Sequence, residues 1–587
     1  MTTSSVLTPL PDGTVRSAQP VMLPIMAPRL QGELWPDGAM DLSVWGVGQL
    51  GRVRFSAIAG PYVYGPNRVL GSNGGVHVAQ SRPVVLVRGG RLSRVFPARR
   101  CAWWHEISKD EARPRWSGNG STRLMTLPWG ALQVEQRGHD LLIAVGANAE
   151  EAAAALALDP EQIVAEAGAY ARSCDLMPDA DPVLRSMVVQ GVHAALSSIR
   201  RDEKGDFAGL AAGQAYSSPA RTYFRDGYWT LQPLLTLAPD IVREQIGILA
   251  RGVQPDGEAP SGVILSGPAQ SAAWRAFRDH PDRYKEHHLR PEDWWSDHFD
   301  SPLFFVLALG DYVRETGDVA EATRHWPVVK AIAERYFRLC GSDGLPLKPR
   351  NDRDWADNVF REGLVSYDVG LWVGALDVIA RLGAASDPDL AARAARAGAR
   401  ARETIHPLLW VERRQGYADY LTPDGFIEDH LVIDSLTLAR YGAVPESKAR
   451  KLLASMEAVL ESRHNDVQPY GDWGVLCTFP PYKRPADTRA KTAFAFRYHN
   501  GADWPYWDGV YAEERLKRGL GGARYALTRW WETCLANGWV GPVEYFSPPF
   551  GRGSLLQGWS SMPAAVALRY GVDAINDVPI DELRATP

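Results

Sequence analysis

Cysteine is scarce: the five, Cys101, Cys174, Cys340, Cys477 and Cys534, lie far apart, with no Cys-x-x-Cys and no paired histidines nearby. That spacing argues against a disulfide framework and a zinc site, leaving buried free thiols as the expectation. Positive charge is not in excess either. Lys and Arg total 64 against 69 for Asp and Glu, a net charge of −5, with no basic cluster to hold a phosphate backbone. Nucleic acid is therefore not an expected partner. No apolar run is long enough to cross a membrane, and the opening MTTSSVLTPLPDG lacks the basic start and apolar centre of a secretory leader. The expectation is a cytoplasmic protein without a membrane partner.

What is present divides in two near residue 150. A chain of 587 residues has room for two or three units. Its first part carries short β-prone runs broken by glycine, such as RVRFSAIAG, PVVLVRGG, LMTLPWGALQVEQ and DLLIAVGA. This predicts an N-terminal β-sandwich over residues 1–150. NAEEAAAALALDPEQIVAEAGAYARSC then switches to alanine-rich helix, read as a helical linker over 151–182, and helical patterns continue through 183–587. In DSPLFFVLALGDYVRETGD, Ser301 is placed to cap and Pro302 to fill the first turn, with Leu303, Val306, Leu307, Gly310 and Val313 on one face. Trp372, Ala375, Ile379 and Leu382 repeat the pattern before Gly383, and other helices are expected to stop at Gly442 and Gly571. About 400 residues in hairpins of about 65 make around six pairs. An (α/α)6 toroid fits, and so does an α-solenoid.

The loops help to separate these. A solenoid usually shows a repeating consensus, whereas here Trp, Tyr, Asp, Glu, Gly and Pro crowd between the helices. The chain holds 21 Trp and 21 Tyr. Flat rings suit the C–H faces of sugars, and carboxylates and amides suit their hydroxyls, so carbohydrate is the leading ligand class. The plainer reading is that tryptophans plug the ends of a helical barrel.

Five loop groups stand out. ARTYFRDGYWTL pairs Arg225 with Asp226, which can also be an ordinary ion pair. WWSDHFDSPL places Asp297, His298 and Asp300 at a helix start, where an acid such as Asp300 commonly complements the helix dipole. NDRDWADNVFREGLVSYDVGLWVGAL sets Asp352, Asp354, Asp357, Glu362 and Asp368 around Trp355. Most of these are expected to be solvated loop charges, but an acid against an indole is disposed to a raised pKa. YHNGADWPYWDG supplies His499, Asn500, Asp503, Trp504 and Asp508, and GPVEYFSPPFGRGSLLQGWSSMPAA supplies Glu544, Gln557, Trp559 and Ser560.

In order and approximate spacing, RTYFRD, DHFDSPLFFVLALGDYVRETGD, DWADNVFREGLVSYDVGLWVGALDVIA, YHNGADWPYWDGVYAEE and VEYFSPPFGRGSLLQGWSS resemble the amylo-α-1,6-glucosidase domain of glycogen debranching enzymes and related inverting α-glycosidases. The resemblance spans residues 216 to 571 and implies the (α/α)6 barrel, preceded in that family by a β-sandwich. It implies that Asp357 of DWAD is a general acid and Glu544 of VEYF a general base. Arg225 and Asp226 match a pair that grips the sugar, and Trp504, Gln557 and Trp559 match pocket-lining positions. With Asp300, Trp355, His499, Asn500 and Asp503, these form the candidate substrate-binding set. Asp503 and Asp508 are read as hydroxyl binders or loop supports.

The chemistry implied is single-displacement hydrolysis with inversion, removing a terminal sugar, and it requires no metal or organic cofactor. Tyr223-Phe224 stands where debranching enzymes carry Trp-Gly, Gly558 stands for their usual alanine, and residues 1–150 are too few and too β-like for a glucanotransferase barrel. A small α-linked oligosaccharide or glycoside is therefore the expected substrate. Two alternatives stand beside it: a sugar phosphorylase of the same fold, which needs a phosphate cradle in place of Glu544, and a catalytically inactive carbohydrate-binding protein.

Overall fold

The computed structural model describes residues 6–56, 58–98, 100–102, 105–106, 113–119, 121–216, 220–265, 293–482, 484 and 486–576. Among them, seventeen strands lie between Thr8 and Gly146, ten in one antiparallel sheet, five in a second and two in a small hairpin. The strand Val84–Arg88 shows why this part folds as layers. It pairs with Asp140–Gly146 in the register Val85↔Ile143. Val85, Val87, Ile143 and Val145 point into the core shared with the smaller sheet. The alternate residues Val84, Leu86, Leu142 and Ala144 point outward against Ala155, Leu156 and Ile163. Those three belong to α1 (Ala149–Leu156) and α2 (Pro160–Ser173), so the sheet is covered on both faces and its sequence is apolar throughout.

Twelve more helices follow among the described residues: α3 Pro182–Ser198, α4 Phe224–Leu237, α5 Pro239–Gly252, α6 Ser301–Thr316, α7 Val319–Leu339, α8 Ser366–Gly383, α9 Pro388–Leu409, α10 Leu436–Arg440, α11 Glu446–Val459, α12 Pro505–Lys517, α13 Ala523–Asn537 and α14 Met562–Asn576. Contacts run in a cycle from α4 to α6, α8, α10, α12, α14 and back to α4. Helices α5, α7, α9, α11, α13 and α3 pack outside these, each against one or two of the six. The inner helices approach closely where side chains are absent: a Cβ on Gly509 would lie 2.7 Å from the Pro563 backbone nitrogen. No helix among the described residues is long and apolar enough to cross a membrane.

Three details of α6 and α14 differ from the sequence reading. Ser301 is the first helical residue and Asp300 holds the cap position, yet no side chain caps the helix, because the Asp300 carboxylate turns to Arg225. Every residue of α6 from Ser301 to Val313 is buried, since an inner helix has neighbours all round and not on one face. In α14 the helical backbone breaks at Gly571, with φ of 78°, and then resumes to Asn576.

Candidate active site

The segments leading into α4, α6, α8, α12 and α14 all reach the same end of the helical cycle, where the helix N-termini lie. Arg225 and Asp226 open α4 and Asp300 precedes α6. Trp355 and Asp357 sit between the strands Lys348–Asn351 and Arg361–Val365 ahead of α8. His499 to Trp504 precede α12, while Glu544, Gln557 and Trp559 lie between α13 and α14. Convergent N-termini contribute a positive field, which suits a group of acids.

Arg225 is the centre of the polar cluster. Its Nη1 donates to Asp300 Oδ2 at 2.7 Å, and its Nη2 lies 3.6 Å from Asp357 Oδ1. Tyr367 also donates to Asp300 Oδ2, at 2.9 Å, and His298 Nδ1 is 3.5 Å from Oδ1. Burial opposes ionisation of Asp300, but the Arg225 guanidinium and His298 overcome it and hold the carboxyl well below its usual range. Asp300 thus anchors Arg225 as a fixed anion.

Asp357 is different. Burial pushes its carboxyl up to about 8, with Arg225 opposing and the nearby Asp352, Asp226 and Asp300 reinforcing the rise. Its side chain is 18 % exposed, so it is sheltered yet reachable. It is protonated at neutral pH, as a proton donor must be. Asp226 is raised to about 7 by burial, opposed by Arg225 and supported by Glu544. Its Oδ1 accepts from Gln557 Nε2 at 3.3 Å.

Glu544 is fixed from two sides. The Ser554 amide donates to Oε2 at 3.0 Å and the Tyr216 hydroxyl to Oε1 at 3.4 Å. The backbone of Gly553 passes so close that a Cβ there would lie 2.7 Å from Glu544 Cβ. The Tyr216 loop is in turn held by the five-stranded N-terminal sheet: Gln31 Nε2 donates to the Gln214 carbonyl at 2.8 Å, and Gln214 Nε2 returns a bond to the Gly32 carbonyl at 3.1 Å.

Behind the acids lies a packed aromatic wall. His499 stacks on Trp504 with ring centres 4.5 Å apart. Trp355 meets His499 edge-on at 4.6 Å, and Trp559 stacks on Tyr506 at 4.9 Å. The Trp355 indole N–H donates to Asp434, which is also bound by Arg361. Several buried polar atoms facing this region have no hydrogen-bond partner, including both ring nitrogens of His499, Trp559 Nε1, Gln557 Oε1, Arg225 Nε and Asp357 Oδ1. Concentrated in one place, such atoms mark where a hydroxyl-rich ligand can supply the missing bonds.

Arg225, Asp226, Asp300, Asp357, Glu544 and Gln557 are therefore one electrostatic cluster, with Trp355, His499, Trp504 and Trp559 behind it. Asn500 and Asp503 lie apart from it. Asn500 accepts from the Tyr482 amide at 2.7 Å and donates to the Thr492 carbonyl at 3.0 Å, bracing two loops. Asp503 is wholly buried, accepts from the Val475 amide at 3.1 Å, and is raised to about 7 by burial, against the opposing hydrogen bonds of Asp508 and the Val475 amide. Sequence reading noted His298 beside Asp300 without giving it a role, and it missed Tyr216, Tyr367 and Lys491. Tyr367 lay within a quoted motif, but Tyr216 and Lys491 follow no spacing that would have singled them out.

Two other features bear on ligand binding. A cavity of about 730 Å³ opens at the opposite, C-terminal ends of the inner helices, lined by Gln232, Arg314, Tyr441, Glu513, Lys517 and Arg569, and contains none of the cluster. Among the described residues, the group with metal-ligand spacing is Glu457, Glu461 and His464. Its acids are already ion-paired, Glu457 with Arg515 at 2.9 Å and Glu461 with Arg463 at 2.6 Å, and it shares no residue with the cluster.

No protein-family model matches the chain, and no curated protein matches it in sequence. Solved structures match it along nearly its whole length. A bacterial glucoamylase complexed with acarbose covers 98 % of this chain and 96 % of its own, with a TM-score of 0.64 and 10 % identity. A rhamnosidase from Klebsiella oxytoca with rhamnose bound covers 94 % of this chain and 89 % of its own, with a TM-score of 0.51 and 16 % identity. At such identities the likeness is one of fold, and the fold is one that glycoside hydrolases use.

Proposed function

We propose that the chain is an inverting, exo-acting glycoside hydrolase that removes a terminal, α-linked sugar from a small oligosaccharide or glycoside in the cytoplasm. The observation that carries this reading is the contrast between two carboxyls in one cluster. Asp357 keeps its proton to about pH 8, while Glu544 is aimed by the Ser554 amide and the Tyr216 hydroxyl. Asp357 donates its proton to the glycosidic oxygen as the bond breaks. Glu544 takes a proton from a water that attacks the anomeric carbon from the opposite face. Arg225, fixed by Asp300, and the Asp226–Gln557 pair bind the hydroxyls of the cleaved sugar. Inversion requires the two carboxyls roughly 6.5 to 9.5 Å apart, leaving room for that water.

The cycle α4–α6–α8–α10–α12–α14, with six helices packed outside, supports reading residues 183–587 as an (α/α)6 toroid, with 1–150 as the β-sandwich and 151–182 as the link. The resemblance to amylo-α-1,6-glucosidase belongs to this proposal, as do the roles of Asp357 and Glu544. The test is a panel of α- and β-linked disaccharides and aryl glycosides. The proposal expects release of a terminal sugar from at least one α-linked member, with Asp357→Asn and Glu544→Gln each losing at least about 100-fold in kcat. Turnover that survives both substitutions would sink it.

A further inference from the structure

The segment 488–497 runs along the Asp357 loop: Thr488 pairs with Val359, and the Arg489 amide donates to the Asn358 carbonyl at 3.0 Å. It brings Lys491 beside the acids. The Lys491 ammonium lies 3.5 Å from the Tyr498 ring centre and 4.6 Å from that of Tyr545, and donates to the Tyr545 hydroxyl at 3.1 Å. Among the described residues, no carboxylate lies within ion-pair distance of it. Farther out, Arg497 likewise has no ion-pair partner and sits 5.8 Å from the ring centre of Phe494 and 5.0 Å from that of Phe550, both exposed. Neighbouring Arg489, by contrast, is paired with Asp352.

A partly buried ammonium without an anion is costly, and aromatic faces offset only part of that cost. Burial pulls the Lys491 ammonium below its usual range, and the charges of Glu544 and Asp357 pull the other way. Asp357 is neutral below about pH 8 and supplies no counter-charge there, and Glu544 lies beyond ion-pair distance. Because this segment flanks the group assigned as proton donor, it borders the departing half of the substrate.

Resting on the hydrolase reading, we propose that Lys491 forms a subsite for a carboxylate on the leaving group, with Arg497, Phe494 and Phe550 forming its outer rim. The substrate class is then a glycoside of a hydroxy acid or a sugar acid. Lys491 binds the carboxylate as a point charge with three rotatable donors. The exposed phenyl rings cover the carbon chain behind it.

Binding can be measured without turnover. Lactate and its neutral counterpart propane-1,2-diol are titrated into the full-length chain and followed by ligand-observed NMR. The proposal expects lactate to bind at least about tenfold more tightly than the diol. Lys491→Met should abolish the difference and Lys491→Arg should keep most of it, with melting temperatures checking that both variants fold. Equal binding of lactate and diol, or lactate binding that survives Lys491→Met, overturns the subsite. In parallel, a lactate glycoside and its methyl amide are compared as substrates. The kcat/KM ratio should favour the acid by about tenfold and collapse towards one in Lys491→Met. If Lys491→Met lowers both substrates equally, Lys491 serves Glu544 and the subsite falls, while the hydrolase reading stands. If no glycoside is cleaved at all, the hydrolase reading falls, and lactate binding still decides the subsite.

Discussion

At the scale of single residues, position decides what a carboxyl does. Asp300 and Asp357 both approach Arg225, at 2.7 and 3.6 Å, yet one is held ionised and the other protonated. The difference lies in partners: Asp300 has Arg225, Tyr367 and His298, whereas Asp357 has a longer contact and three acids near it. Since the donor form of Asp357 is lost as pH rises through about 8, kcat/KM should fall above that value, and a pH–rate profile should show the alkaline limb. The same raised pKa has a stability consequence. A carboxyl raised in the folded state favours folding fully below its unfolded pKa, and that contribution disappears as pH climbs through about 8. Asp357→Asn should therefore lose turnover while raising unfolding stability at pH 8 by about 1–3 kcal/mol, measured by denaturant titration. Gly553→Ala tests Glu544 from its other side: the added methyl collides with the Glu544 side chain and should cut kcat at least about tenfold without unfolding the chain. Asp357 and Glu544 stood out in the sequence because each lies in a short motif that resembles a known pattern. Lys491 and Tyr216 did not, since their meaning comes from residues 54 and 328 positions away, Tyr545 and Glu544.

At the scale of elements, the loops at the helix N-termini are held by buried polar networks as well as by apolar packing. Arg361 contacts Asp354 at 2.7 Å, Asp419 at 2.9 Å and Asp434 at 2.6 Å, and Asp434 holds the indole of Trp355, two residues before Asp357. Lys348 and His430 also approach Asp354 and Asp419, but removing Arg361 takes away the ion-pair partner of buried Asp434. Arg361→Met should cost about 3–5 kcal/mol of stability and weaken turnover together, read by chemical denaturation and by kcat. Helix starts and stops were legible where local rules govern them, as at Pro302 of α6. Local rules failed where tertiary partners competed: Asp300 leaves its capping role for Arg225, and α6 is buried on every side because it belongs to the inner set. The aromatic stretch before α12 was legible as a wall but not in its division of labour. His499 and Trp504 stack behind the acids, while Asn500 and Asp503 turn to backbone amides, a choice fixed by loops distant in sequence.

At the scale of the whole molecule, the change from strand to helix near residue 150 was readable as a change of period, because strands alternate and helices repeat every three to four residues. How the two parts cooperate was not readable. Gln31 of the five-stranded N-terminal sheet bonds the 213–214 backbone, and the same loop presents Tyr216 to Glu544. Gln31→Ala should lower kcat several-fold while leaving the melting temperature within a few degrees, as expected if the N-terminal sheets position the proposed base. The cavity at the far end of the inner helices shares no residue with the cluster, and ligand chemistry is expected only at the N-terminal end. The most direct test of the Asp357–Glu544 assignment is the anomer first released, followed by proton NMR before mutarotation, from whichever α-glycoside the enzyme cleaves. Single displacement predicts the β-sugar as the initial product, with its appearance lost in Glu544→Gln. An initial α-sugar would mean retention through a covalent intermediate and would contradict the roles given to both carboxyls.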